Sequence, residues 1–311
     1  MILRPWRGYF RAGAQAADML SKRPMILALL QLARPKQWVK NAFVAAPLFF
    51  TPEAFGAANL WAIFIAVLAF SLAASAIYAF NDYCDRDADR LHPVKRTRPI
   101  ASGAVAPGAA LAFAVLLAAG AAWLASLLPQ RFGETLAIYF ALNLAYSWRL
   151  KHVSLLDVLI VAAGFVLRVE AGAFAIGVVP SVWIVVCTGL LALFLALAKR
   201  RDDLTSDVDA AHRKALAGYN LRFLDTAIAV VLGALAVSYI LYTADQTVIK
   251  RYGTDRLYLT APFVLAGMLR YLQIALVEAR AGQPTDIVLS DRFVIVCVLG
   301  WIAVFGYLIY A

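Results

Sequence analysis

Runs without a single charged residue dominate this chain: 54–81, 104–130, 171–198, 226–244 and 293–311. Each is close to or above the about 20 helical residues that cross a hydrocarbon core. Shorter apolar pieces at 39–50, 135–148, 153–177 and 257–277 fill the gaps between them. The pattern predicts an all-α, polytopic membrane protein with nine transmembrane helices in a ring. Apolar residues make up 63% of the chain, and a soluble fold of 311 residues could not bury that much apolar surface. No linker separates two compositions, so a single nine-helix domain is expected over 34–311, behind a basic leader over 1–33.

Charge orients the predicted spans. Sorting the connections by side places 24 of the 29 Lys and Arg residues on one face. Basic residues accumulate in the cytoplasm, so the N-terminus is expected inside and the C-terminus outside. The leader has no cleavable apolar segment and reads as cytosolic, partly as an amphipathic surface helix. The net charge of +10 then serves topology and attraction to anionic headgroups and phosphates, not nucleic acid. Cys84, Cys187 and Cys297 are scattered without a CxxC or Cys/His cluster, which removes zinc and redox sites from consideration.

The densest polar block follows the second predicted span. Asn81, Asp85 and Asp89 lie four residues apart. On a helix each step advances only roughly 40°, so the three side chains form one stripe. Hard oxygens in that arrangement suit Mg²⁺, which is held by carboxylates together with substrate phosphates. A simple stop-transfer end would carry cations, whereas Asp82, Asp85, Asp87 and Asp89 crowd nine positions. Asp82, Asp85 and Asp89 are the candidate catalytic residues. Lys95, Arg96 and Arg98 follow in a stretch shaped by Pro93, Pro99 and Gly103 and suit the remaining phosphate charge.

A second acid-rich connection follows the sixth predicted span, from Lys199, Arg200 and Arg201 through Asp203 and Asp207. It lies on the same predicted face as the first, which makes Asp203 a fourth candidate metal ligand and Lys199 and Arg200 candidate phosphate contacts. Arg34, Lys40 and Asn41 precede the first span, and Tyr146 and Lys151 close the fourth. Asp157, Arg168 and Glu170 sit within the fifth. Asp157 and Arg168 are eleven residues apart, on one face but roughly 16 Å apart along the axis, so each is expected to find a partner elsewhere. His92, His152 and His212 show no ligand spacing and read as interfacial polar residues.

These motifs together resemble the UbiA superfamily of intramembrane prenyltransferases. NDxxDxxxD, a second acidic connection and nine spans are shared across that superfamily. RPxQWxKN at 34–41, HPxKRxRPIASG at 92–103, YSxxLKHVxLLDV at 146–158 and GxPTDxxLSDR at 282–292 are more specific and resemble its polyprenyl-phosphate phosphoribosyltransferase branch. The resemblance implies transfer of 5-phosphoribose from phosphoribosyl pyrophosphate to decaprenyl phosphate, with release of pyrophosphate. It further implies Mg²⁺ at Asn81, Asp85, Asp89 and Asp203, and substrate contacts from Arg34, Lys40, Lys95, Arg96, Arg98, Tyr146, Lys151, Lys199 and Arg200. The setting it implies is a bacterial cytoplasmic membrane, with a product feeding arabinofuranosyl donors of the cell envelope. Asp203 departs from the glutamate usual in the branch.

Two rival readings remain at this stage: a prenyl diphosphate:aromatic transferase of the same fold, and a transporter. A transporter needs broken helices and a charged midplane path. Here the carboxylates gather at one membrane face. Oligomeric state is open, a homo-oligomer included.

Overall fold

The computed structural model describes residues 24–205, 214–278 and 290–310, and among them there is no strand. In chain order the helices are α1 Met25–Ala33, α2 Ala42–Phe49, α3 Ala57–Leu91, α4 Pro107–Ala125, α5 Gln130–Trp148, α6 Leu156–Ala175, α7 Val182–Thr205, α8 Leu221–Ala244, α9 Gln246–Tyr252, α10 Ala261–Leu276 and α11 Arg292–Tyr310. Short 3₁₀ segments join several of them, including Pro35–Asn41, Lys214–Gly218 and Arg256–Thr260. Residues 1–23, 206–213 and 279–289 lie outside the described residues. So do Asp207, His212 and most of the 282–292 motif.

Seven helices among the described residues are long and apolar enough to cross a membrane: α3, α4, α6, α7, α8, the unit Arg256–Leu276 and α11. The other two expected spans take different forms. Residues 39–50 fold as the end of the 3₁₀ segment followed by α2, which has only eight residues and rises about 12 Å. Helix α5 has 19 residues, but Arg131, Glu134 and Asn143 dilute its apolar character.

Helix α3 has the largest consequence for the site. It runs 35 residues, about 52 Å, against a hydrocarbon thickness of about 30 Å. Its last turns therefore carry the acidic block beyond the apolar layer as uninterrupted helix. Pro93 ends it: the residue before a proline is pushed out of the α region, and His92 is extended at φ −83°, ψ 132°.

From α2 to α8 each helix packs on its sequence neighbours, α1 packs on α3, α10 packs on α8 and α11, and α3 also contacts α5. Helix α2 packs on both α3 and α6. The order closes where Trp301 and Phe305 of α11 meet Phe49 and Phe50 at the end of α2. Of the apolar clusters that hold the bundle, one gathers Phe70, Phe132, Leu136 and Tyr139 and another Phe194, Leu224, Ile228 and Tyr271. Helix α6 contributes to both, through Ala171 and Val158. Its approach to α2 is close enough that a Cβ on Gly172 would stand 1.8 Å from the carbonyl oxygen of Val44. Glycine is what lets these two backbones meet.

Candidate functional site

The polar side chains at the end of α3 divide into two sets. Asn81 and Asp85 turn toward the start of α6, where the Lys151 ammonium donates to Asn81 Oδ1 at 3.1 Å and to Asp85 Oδ1 at 2.5 Å. Asp82 and Asp89, two turns apart, share Arg98 instead. Its Nη1 donates to Asp82 Oδ1 at 3.1 Å and to Asp89 Oδ2 at 2.7 Å. Asp82 also accepts from Arg34 Nη2 at 2.5 Å. Asp82 and Asp89 are both buried, and such carboxylates persist only when paired.

Local backbone explains how the cations arrive. Arg34 is the left-handed terminus of α1 at φ 52°, ψ 58°, a conformation that costs a non-glycine residue about 1–2 kcal/mol. The turn redirects the chain so that its guanidinium reaches Asp82 and lies 5.1 Å from the ring centre of Tyr78. Buried His92 organises the basic stretch: its Nδ1 accepts the backbone N–H groups of Val94 and Lys95. Gly103 closes that stretch at φ +82°, a region glycine enters without strain.

The second acidic connection joins the same end of the bundle through α6. Asp157 is fully buried; it accepts from Arg200 Nε and from the Tyr219 hydroxyl, each at 2.6 Å. Arg200 Nη1 donates to Asp203 Oδ2 at 2.5 Å, and Lys199 donates to Asp203 Oδ1 at 2.9 Å. Tyr146 lies within electrostatic reach of Arg200. Burial, and then the bond it gives to Asp157, push the Tyr219 phenol above its ordinary pKa. Lys151 and Asp157 are six positions apart and reach Asp85 and Arg200 respectively, so the start of α6 couples the two acidic segments.

Five carboxylates, those of Asp82, Asp85, Asp89, Asp157 and Asp203, therefore meet five cations: Arg34, Arg98, Lys151, Lys199 and Arg200. The set is electrically balanced, so an arriving diphosphate brings charge that a divalent ion would offset. Asn81 and Asp85 suit one: two hard oxygens already converge on a single cationic group, the Lys151 ammonium. No group of three or more His, Cys, Asp or Glu residues forms a metal cage among the described residues. An open pair of oxygens is what Mg²⁺ uses when substrate phosphates complete its shell.

The remaining candidates lie nearby in sequence and differ in exposure. Lys40 and Lys95 are half-buried and Arg96 is exposed. Sequence reasoning underrated Asp157 and overlooked Tyr219, which packs against the start of α6 from 62 residues away. The LLDV motif was the available signal for Asp157. His92 is buried where an interfacial position was expected. Arg168, as expected, has no contact with Asp157. Its buried guanidinium donates to Asn41 Oδ1, the Gly164 carbonyl and the Tyr139 hydroxyl at 2.8–3.0 Å, and lies near the rings of Tyr139 and Phe165.

A multi-span helical membrane protein with cations and carboxylates paired at one end of its bundle belongs to the class of membrane enzymes that handle phosphorylated substrates. The sequence pattern of the UbiA prenyltransferase family matches residues 42–295, and the chain belongs to that family. It is 36% identical over 303 residues to the decaprenyl-phosphate phosphoribosyltransferase of Mycolicibacterium smegmatis, covering 92% of this chain and 93% of the relative. It is 33% identical over 301 residues to the Mycobacterium tuberculosis (strain ATCC 25618 / H37Rv) protein of the same name, covering 93% and 97%. Among solved structures, a UbiA homolog from Archaeoglobus fulgidus bound to GPP and Mg²⁺ superposes with a TM-score of 0.69 at 20% identity, covering 91% of this chain and all of the other. That likeness establishes the shared fold.

Proposed function

We propose that this chain transfers 5-phosphoribose from phosphoribosyl pyrophosphate to the phosphate of a polyprenyl (decaprenyl) phosphate, releasing pyrophosphate. The observation that carries this reading is the similarity, over nine-tenths of the chain, to phosphoribosyltransferases of that specificity. Asn81, Asp85 and Asp89, with Asp203 from the second acidic segment, are the residues that hold Mg²⁺. A divalent ion held there would supply positive charge against the departing diphosphate.

The chain's own groups do the rest. Arg34, Arg98, Lys151, Lys199 and Arg200 surround the diphosphate, with Lys40, Lys95, Arg96 and Tyr146 around the donor and the lipid phosphate. Asp82 acts by holding Arg34 and Arg98 in place, a task its burial and two ion pairs suit. The barrier lies in separating pyrophosphate from a ribose carbon that gains positive character. Preorganised cations lower it without reorienting solvent. The acceptor is already an anion and needs no strong base, in keeping with a His92 that is committed to backbone N–H groups.

In the membrane, the reading is nine spans over 34–311 behind a cytosolic leader, with the N-terminus and charged end in the cytosol and the C-terminus in the periplasm of a bacterial cell. α2 with its preceding 3₁₀ segment, and α5, supply the two spans beyond the seven. The test is a membrane assay with labelled phosphoribosyl pyrophosphate and polyprenyl phosphate. Labelled polyprenyl-phosphoryl-5-phosphoribose is the expected product. Its absence in wild-type membranes, together with turnover of a prenyl diphosphate, would overturn the reading.

A further inference from the structure

Buried Asp157 is a group to which the reaction assigns no role, and its surroundings specify one. Both of its partners must donate. Arg200 Nε–H has no alternative, and the Tyr219 hydroxyl already accepts the Leu155 N–H at 2.6 Å, which leaves its own proton for Asp157. Only an acceptor-only group satisfies both at once; an amide would set one N–H against a donor. The backbone here is committed to the contact. Leu155 adopts φ 69°, ψ −47°, strained for a branched residue, and its N–H is tied to Tyr219 in that conformation. Ser154 Oγ donates to the Ala215 carbonyl, and a Cβ on Gly218 would come within 2.1 Å of that hydroxyl oxygen. The start of α6 and the 214–219 segment are thus docked on one another around the carboxylate.

What Asp157 does is visible on Arg200. With Nε on Asp157 and Nη1 on Asp203, the guanidinium plane is set from two sides. Among the described residues its Nη2 amino group makes no hydrogen bond, and it is the one edge of this largely buried guanidinium that Asp157 and Asp203 do not engage. A planar fork fixed on two edges presents its third nitrogen in one orientation, and that suits phosphate oxygens. We infer that Asp157 is a positioning residue for the diphosphate: it fixes Arg200, and through Arg200 also Asp203, while Tyr219 holds Asp157. The inference rests on the proposed reaction for the identity of the donor, but the diphosphate is common to that reaction and to its prenyl rival.

Inorganic pyrophosphate with Mg²⁺, titrated calorimetrically into purified full-length protein, is therefore the probe, followed by donor KM and kcat in the membrane assay. Asp157→Asn is expected to weaken pyrophosphate binding and raise donor KM by about tenfold, the size of one misplaced charge-assisted bond, with a smaller change in kcat. Tyr219→Phe is expected to have a weaker effect. The double variant is expected to be no worse than Asp157→Asn alone, because removing the phenol removes the opposed donor. Arg200→Lys keeps the charge but cannot span both carboxylates, and it should reproduce the pyrophosphate defect even if Asp157→Asn fails to fold. A folded Asp157→Asn protein with pyrophosphate affinity and donor KM within twofold of wild type would overturn the inference. So would Arg200→Lys binding pyrophosphate normally. A wild type that binds pyrophosphate but ignores phosphoribosyl pyrophosphate would instead overturn the proposed reaction and leave the role of Asp157 standing.

Discussion

Replacing Arg98 with alanine takes a partner from two buried carboxylates and strands one of them, Asp89, and the structure allows the loss to be sized. Deleting one partner of a buried ion pair costs about 3–5 kcal/mol, mostly for the charge left behind. Arg98 is 25% exposed, and Asp82 retains Arg34, so the loss falls to the bottom of that range and below it: about 2–3 kcal/mol, carried chiefly by Asp89. At about 2–4 °C per kcal/mol for a chain of this size, the midpoint should fall by roughly 4–12 °C. The assay is a thermal melt of detergent-solubilised protein followed by tryptophan fluorescence in metal-free buffer. Asp89→Asn should cost less, because the amide oxygen still accepts from Arg98. The double variant Arg98→Ala/Asp89→Asn should recover at least about 1 kcal/mol relative to Arg98→Ala, since no buried charge is stranded at position 89. Additive losses, or a double variant less stable than either single one, would refute the view that Arg98 compensates Asp89.

Asp85→Asn is expected to abolish turnover while leaving insertion and purification normal, and EDTA should silence the wild type until Mg²⁺ is restored; substantial activity in either case removes the metal role of this carboxylate. Lys151→Ala should raise donor KM by about tenfold, since one charged bond is lost, whereas exposed Arg96→Ala should change it far less; equal effects would contradict the geometry. Gly172→Val should fail to accumulate as folded protein, because no rotamer moves a Cβ away from the Val44 carbonyl, and a normal yield would show that α2 and α6 can part. Hydrogen bonds from the side chains of Thr247 and Trp183 hold Asp245 at a pKa of about 2, below its ordinary value of 3.8. Its contribution to stability is therefore complete above about pH 4 and is lost as pH falls toward 2. Melts of Asp245→Asn should show less loss between pH 5 and pH 3 than those of wild type.

Much of this protein is local in origin, and local features are legible in a sequence. Hydrogen bonds within a helix satisfy the backbone in lipid, so an apolar run near 20 residues reads directly as a span, as it does for α3, α4, α7, α8 and α11. The i, i+4 spacing of Asn81, Asp85 and Asp89 likewise follows from helix pitch. The place where α3 stops is also local, because Pro93 enforces it. What the spacing could not show is that the stripe is shared out: Asp85 turns to Lys151, while Asp89 turns with Asp82 to Arg98. Arg98 comes from the connection that follows α3 and Lys151 from the one that precedes α6, and the path of those connections in the folded bundle decides which carboxylate meets which cation.

The same holds for Asp157, whose partners lie 43 and 62 positions away, and for Arg168, which meets Asn41 across 127. Residue types alone suggested a partner on another helix but could not name it. Contact between α2 and α6 at Gly172 brings Arg168 and Asn41 to one place, and that proximity exists only once the helices have packed. Hydropathy and pitch, which act within a few turns, determined the spans and the stripe. Only tertiary packing decided the ion pairing, because a buried charge takes whichever opposite group the folded backbone brings within about 3 Å.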